Sequence, residues 1–493
     1  MNPDHEVIVV GAGFSGIGAS IRLSAAGIDD HLIVEEGEDV GGTWYWNRYP
    51  GVAVDIPSFS YQFSFERRTD WSRVYAPGDE LYAYARDCAE KYDVRRHVRF
   101  GTRITAATFD DDTDLWQLET ASGETLRARF VIGATGVLTQ PKPPDIDGVD
   151  DFAGTKMHTA RWDDTIDLRG RRVGIIGTGA SAVQIIPEIA PLVDHLTVFQ
   201  RTPIWCMPKP DRAIPRQVRW AMEKLPLGDL AARLASQAFV EATFPLPLHF
   251  GNVIPFSKLA ERQGRDFLRK QVRDPEIRRK LTPQYAIGCK RPSFHNTYLR
   301  TFNRDNVLLE TTPIERITAD GVRTTEGDLH ELDVLILATG FKVMEAGNMP
   351  PFPVRGADGV DLETWWDEHR LQAYQGVSVP GFPNFFAILG PYGYNGSSYF
   401  TLIEAQTRHI LRVLERARAE RSKRVEVRRE ANDRFFQSML ARRHRQIVWQ
   451  DSCATANSYY FDKHGDVPFR ASPTIEVDWR SRRFDLDDYR YAA

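Results

Sequence analysis

The sequence predicts an α/β protein built from two Rossmann-like dinucleotide-binding domains, with a helical insertion in the second. Three observations predict it. "EVIVVGAGFSG" and "RVGIIGTGASA" each pass from an apolar strand into a glycine-rich turn and then a helix. Each is followed by a second apolar strand, "HLIVEE" and "HLTVFQRT", as a βαβ unit requires. Between roughly 209 and 284 the apolar spacing turns helical and strand signals vanish.

The bulk numbers exclude several functions. A chain of 493 residues suits two or three domains. Lys plus Arg is 63 against 67 Asp plus Glu, and no long basic run occurs, so nucleic-acid binding has no electrostatic support. No apolar run approaches the ~20 residues of a membrane span, and "VIVV" is too short for a signal peptide. No stable membrane association and a cytoplasmic location are therefore expected. None of Cys88, Cys206, Cys289 and Cys453 forms a C-x-x-C pair. That argues against a zinc ribbon or a redox dithiol and points to a reducing cytosol. No metal site is expected.

In the first unit Gly11 allows the tight turn, Gly13 lets the backbone approach a pyrophosphate, and Gly16 lets helix and strand pack closely. Free N–H groups at the helix start favour an anion. Glu35 closes the second strand and can accept from ribose hydroxyls. "EDVGGTWYWNRYPG" follows, and its second glycine pair, Gly41 and Gly42, permits further backbone contact with a long cofactor. Trp44, Tyr45 and Trp46 either cover a flat ring system or pack in the core.

"ARFVIGATG" ends the first domain's strands, and "TQPKPPDIDG" is proline-rich linker. Then comes "FAGTKMHTARWD", residues 152 to 163, with neither apolar period. His158 has no second ligand at metal spacing.

The second unit carries Gly177 and Gly179, with Ala182 in the third place. Its second strand ends in Gln200, Arg201 and Thr202, where an NAD site would have an acid. Arg201 attracts a 2′-phosphate and Thr202 can donate to it, so NADPH is favoured over NADH. The alternative is a surface arginine. Two sites imply two cofactors, a bound flavin and a soluble nicotinamide. "DVLILATG" closes this domain at Gly340, and "FPNFFAILGPYGYNGSSYF" reads as a strand, a glycine turn and a helix. The expected division is 1–140 for the flavin domain, 141–151 for a linker and 152–208 for the nicotinamide domain. The insertion occupies 209–284, the nicotinamide domain resumes over 285–340, and 341–493 returns to the flavin domain.

These segments resemble the Baeyer–Villiger monooxygenases that use FAD and NADPH. "GAGFSG", "GGTWYWNRYPG" and "VDIPSFSYQF" are similar to the family's FAD segment. Phe152, Gly154, His158, Trp162 and Asp163 fit its fingerprint, F-x-G-x-x-x-H-x-x-x-W-[P/D]. "GTGASA" with "QRT" is similar to its NADPH segment, and "CKRP" to its active-site Lys-Arg pair. The resemblance departs at Tyr392, where asparagine is more usual after "GP", and at "NSYYFDKHGDVPFRASP", which lacks a tryptophan before its first tyrosine.

The resemblance implies that NADPH reduces FAD, that O2 gives a flavin C4a-peroxide, and that oxygen enters beside a ketone carbonyl to yield an ester or lactone. The runner-up is a flavin monooxygenase that oxidises amines or sulfides. Arg291 is implied as the catalytic cation and Asp55 as its orienting carboxylate, although "DIPS" also suits a helix N-cap. FAD would meet Gly42, Thr43, Trp44, Asp55, Ile56 and Tyr61 besides the glycine turn and Glu35. NADPH would meet Gly177, Thr178, Gly179, Ala180 and Ser181, with Lys290, Arg201 and Thr202 on the 2′-phosphate. Lys290 otherwise reads as a solvated lysine. The fingerprint is implied as a hinge, packed by Phe152 and Trp162 and bent at Gly154, with His158 bonding across it. A monomer or homodimer is expected.

Overall fold

The computed structural model describes residues 2–251, 256–343, 345, 347–450, 453, 456 and 458–493. Two sheets organise it. In the first, His5–Val10 lies parallel between His31–Val34 and Thr125–Gly133. Val7, Ile8 and Val9 are completely buried, so the strand is apolar on both faces, as a central parallel strand must be. Ile104–Asp110, Leu115–Thr120 and Thr125–Gly133 continue the sheet as an antiparallel meander. The C-terminal half returns to it, because Phe385–Ala387 pairs with Thr125–Gly133 and Val354–Arg355 with Ile104–Asp110.

The second sheet is wholly parallel, in the order Val307–Glu310, His195–Phe199, Arg172–Ile176, Val334–Leu337, Thr155–His158. The last strand lies inside the fingerprint. The stretch that carries no period is thus an edge strand of this sheet, running into a short 3-10 turn at Thr159–Arg161. An edge strand pairs on one side only, and Thr155 and Lys156 are exposed, so no apolar alternation was needed.

The two Ala-Thr-Gly turns sit in equivalent places. A Cβ on Gly11 would lie 2.8 Å from Ala134 O, and one on Gly177 would lie 2.4 Å from Ala338 O. Both glycines also have φ above +100°. Glycine at these two positions is therefore demanded by the chain itself.

Helices Arg216–Lys224, Gly228–Thr243, Pro245–Phe250, Phe256–Gln271 and Pro275–Lys280 fill the insertion. "FLRKQVRDPEIRRKL" breaks before Pro275, where Asp274 Oδ1 accepts from the N–H groups of Glu276 and Ile277. The insertion leans on the first domain: Arg233 donates to Gln62 O at 2.7 Å, and Gln237 to Ser397 Oγ at 3.0 Å.

The cysteines correct the reading made from their spacing. Cys289 and Cys453 form a disulfide across 164 residues, inside an apolar cluster with Trp205, Tyr285 and Ile287. Cys88 and Cys206 are buried thiols. A structural disulfide is unusual in a reducing cytosol, and the absence of C-x-x-C said nothing about a pair so distant in sequence. No helix among the described residues is long and apolar enough to cross a membrane.

Candidate active site

The glycine turns come first, because their geometry tests whether cofactors fit. Gly13 and Gly179 have φ of −73° and −75°, open to any residue. A Cβ on Gly179 would meet nothing within 4 Å, and one on Gly13 only Gly42 at an ordinary 3.5 Å. Nothing in the protein requires glycine there. A ligand pressed against the backbone does, and each glycine caps a helix with no side-chain cap and no acid in its first turn. The residues fit a dinucleotide at both sites.

Glu35 is buried, and its carboxylate accepts from Ala12 N at 2.7 Å and Gly37 N at 2.8 Å. Burial pushes its pKa up and these two bonds oppose the shift. The acid thus braces the first glycine turn as well as standing at the strand end.

Thr43–Trp46 forms one helical turn with no residue fully buried, and Trp44 packs half-buried against the core. Trp44 meets Tyr61 edge-on at 5.8 Å. Ile56 is buried beside Asp55. Arg161, from the fingerprint, lies 4.2 Å over the Trp46 ring and so bridges the two domains.

In the second unit Thr178 Oγ1 donates to Thr202 O at 3.0 Å, tying the glycine turn to the strand end. Ala180 and Ser181 open the helix Ala180–Ile189. Arg201 is exposed. Lys290 is half-buried, and its pKa falls to about 8, first through burial and then through the neighbouring charge of Arg201. The two cations are thus near enough for their charges to interact, an arrangement that suits an anion.

Arg291 is held from both sides of the chain. Its Nε donates to Asp55 Oδ2 at 3.0 Å, its Nη1 donates to Tyr394 OH at 3.2 Å, and its guanidinium lies 5.3 Å over the Phe244 ring. Burial works against the cation, but Asp55 and the tyrosines outweigh it and drive its pKa upward. A quarter of the side chain stays accessible to solvent. Tyr394, Tyr399, Tyr459 and Tyr460 lie near enough for their charges to interact with it. A separate cavity of about 340 Å³ between Phe352, Trp366, Leu371 and Phe461 touches none of these groups.

The loop from "CKRP" is aimed by a short parallel pairing of Cys206–Met207 with Ser293–Phe294. Lys209, just beyond, donates to Val54 O at 3.0 Å, and burial lowers its pKa. Sequence reasoning missed Lys209 and Tyr394 because both act through contacts distant in sequence. Tyr392 sits at φ +60°, a conformation asparagine tolerates better. Its ring is buried edge-on to Phe436 at 5.6 Å. Asn457, in the C-terminal segment singled out above, lies outside the described residues.

The fingerprint residues serve packing and hydrogen bonding. Phe152 is buried, and Trp162 packs on the core of the second sheet. Gly154 lies at a bend in the chain, and a Cβ there would strike Phe152 at 2.6 Å and Asp333 O at 2.7 Å. Asp163 is exposed and caps a local turn at Thr165. His158 Nδ1 accepts from Ala160 N at 3.1 Å, which leaves Nε2 as the donor to Thr339 Oγ1 at 3.3 Å. Thr339 donates in turn to Lys142 O in the linker. Burial lowers the His158 pKa to about 4, with Arg161 adding to the effect.

Known proteins resemble this chain along nearly its whole length. Residues 8–219 match the pyridine nucleotide-disulphide oxidoreductase family model. The chain is 38% identical to a Baeyer–Villiger monooxygenase of Pseudomonas aeruginosa, over 98% of this chain and 91% of the relative. It is 37% identical to one of Streptomyces coelicolor, over 99% and 93%. Among solved structures, OTEMO in complex with FAD and NADP superposes with a TM-score of 0.88 at 30% identity, covering 100% of both chains. Cyclohexanone monooxygenase from Rhodococcus sp. Phi1 bound to NADP+ gives 0.88 at 30%, covering 99% of each. The chain belongs to the Baeyer–Villiger monooxygenases, the flavoproteins that work with FAD and NADPH.

Proposed function

We propose that the protein oxidises a small ketone to an ester or lactone, consuming NADPH and O2 and releasing NADP+ and water. The observation that carries this reading is Arg291: a guanidinium that cannot lose its proton, oriented by Asp55, bonded to the Tyr394 phenol and partly accessible to solvent. FAD and NADPH, when bound, supply the hydride and the activated oxygen. The chain's own part is charge and exclusion of water. Arg291 stabilises negative charge that develops on oxygen, in a place where few waters compete. Asp55 holds the guanidinium plane. Lys290, Arg201 and Thr202 take the 2′-phosphate, and Gly177 to Ser181 take the pyrophosphate. Gly11, Gly13, Gly16, Glu35, Gly42, Thr43, Trp44, Ile56 and Tyr61 form the flavin site.

The division of the chain at 140, 151, 208, 284 and 340 belongs to the same proposal. So does a hinge at Phe152, Gly154, His158, Trp162 and Asp163, supported by the Arg161–Trp46 stack and the His158–Thr339 bond. A monomer or homodimer in the cytoplasm is proposed, where NADPH is at hand. The disulfide, shielded in its apolar cluster, would there have to resist thiols.

The test is NADPH oxidation by the purified yellow protein against a panel of ketones, with product identification. Ester is the expected product. Sulfoxide from a thioether, with no ester from any ketone, would overturn the reading.

A further inference from the structure

We propose that Tyr394 is a positioning residue for the oxygenation step, fixing the Arg291 guanidinium through its phenol oxygen; the inference rests on the functional reading above. A guanidinium has five N–H donors in one plane. One anchor, Asp55 on Nε, leaves that plane free to swing. A second anchor on Nη1 stops the swing, and Tyr394 OH is that anchor. Nη2 then has a defined direction, and no bond from it to the protein is seen among the described residues.

The anchor is itself immobile. Tyr394 stacks on Tyr399 at 5.2 Å with the rings 22° apart, and Phe469 meets it edge-on at 5.4 Å. Its carbonyl accepts from Arg470 N at 2.7 Å. The residues on either side are pinned as well. Gln406 Nε2 donates to Gly393 O at 2.8 Å, and His249 Nε2 donates to Asn395 O at 2.8 Å. These contacts constrain the loop that carries the phenol from several sides, as orientation demands. Having accepted from Arg291, the hydroxyl keeps its own proton, and no protein acceptor for it is seen among the described residues. That proton can be donated to an oxygen bound beside it.

The test compares Tyr394→Phe with wild-type holoenzyme. Phenylalanine keeps the stack and removes only the oxygen. Anaerobic flavin reduction by NADPH and the dissociation constant of NADP+ should stay within about twofold. Oxygenated product per NADPH should fall about tenfold, with hydrogen peroxide making up the difference and KM for the substrate little changed. A crystal structure of the variant should show Arg291 rotated out of its wild-type plane. An unchanged product-to-peroxide ratio, or an unmoved Arg291, overturns the proposal. Equal loss in reduction and oxygenation together with a lower melting temperature would assign Tyr394 a merely structural role, and also overturns it. If wild type yields sulfoxide and no ester, the ketone reading falls alone, because the same ratio is then read with the thioether.

Discussion

Asp55 and Arg291, 236 residues apart, meet through a 3.0 Å bond that joins the flavin side of the molecule to the nicotinamide side. Neither domain holds the charged centre by itself. Removing the cation should therefore separate the two half-reactions. Arg291→Ala should keep NADPH-driven flavin reduction and lose oxygenation by about 100-fold or more. Rapid-mixing absorbance measures the first and product chromatography the second. Normal ester yield from the variant would remove Arg291 from the mechanism.

The Lys290–Arg201 pair predicts a pH dependence with a definite sign. Lys290 in the free protein titrates at about 8 because burial and Arg201 oppose its charge. A bound 2′-phosphate favours the protonated form, so binding needs a proton that is missing above pH 8. The NADP+ dissociation constant should rise about tenfold from pH 7.5 to 9, and Lys290→Met should flatten that profile. Arg201→Ala should lower the NADPH-to-NADH efficiency ratio. A ratio unmoved by that change would place the phosphate elsewhere.

The second glycine turn separates folding from binding. Gly179→Ala adds a methyl into open space and should leave the melting temperature unchanged, while weakening NADP+ about tenfold, or about 1.4 kcal/mol. Gly177→Ala meets Ala338 O at 2.4 Å from a φ of +114° and should cost about 3 kcal/mol of stability. Calorimetry and equilibrium titration on both variants decide it. The reverse ranking would mean that the open space at Gly179 is not a ligand's.

The disulfide should be worth about 2–4 kcal/mol, because it closes a long loop in the unfolded chain. Denaturation midpoints with and without dithiothreitol measure it, and Cys453→Ala should match the reduced wild type. Coincident midpoints for all samples would mean that the bond adds nothing to the fold.

Legibility in the sequence followed the range of the forces involved. Gly11, Gly13, Gly177 and Gly179 were readable because a turn, its strand and its helix lie within a few residues. The strand His195–Phe199, just before Arg201, was readable for the same reason. Thr155–His158 was not, since an edge strand of four residues buries too little to impose a period. The Cys289–Cys453 bond was not, because pairing depends on which distant segments the fold brings together. Asp55 and Arg291 came only through resemblance to a family, and Tyr394 not at all. Its role depends on reaching a side chain 103 residues away. Gly154 was read as a bend, and the chain does bend there, at a place where a ring and a carbonyl also leave no room for a side chain.

The carbonyls of Ala134 and Ala338 rest against the first glycine of each nucleotide turn. The chain therefore leaves each domain at the point where that domain grips its cofactor. A side chain at either glycine would push on the Ala-Thr-Gly segment beside it as well as on its own turn.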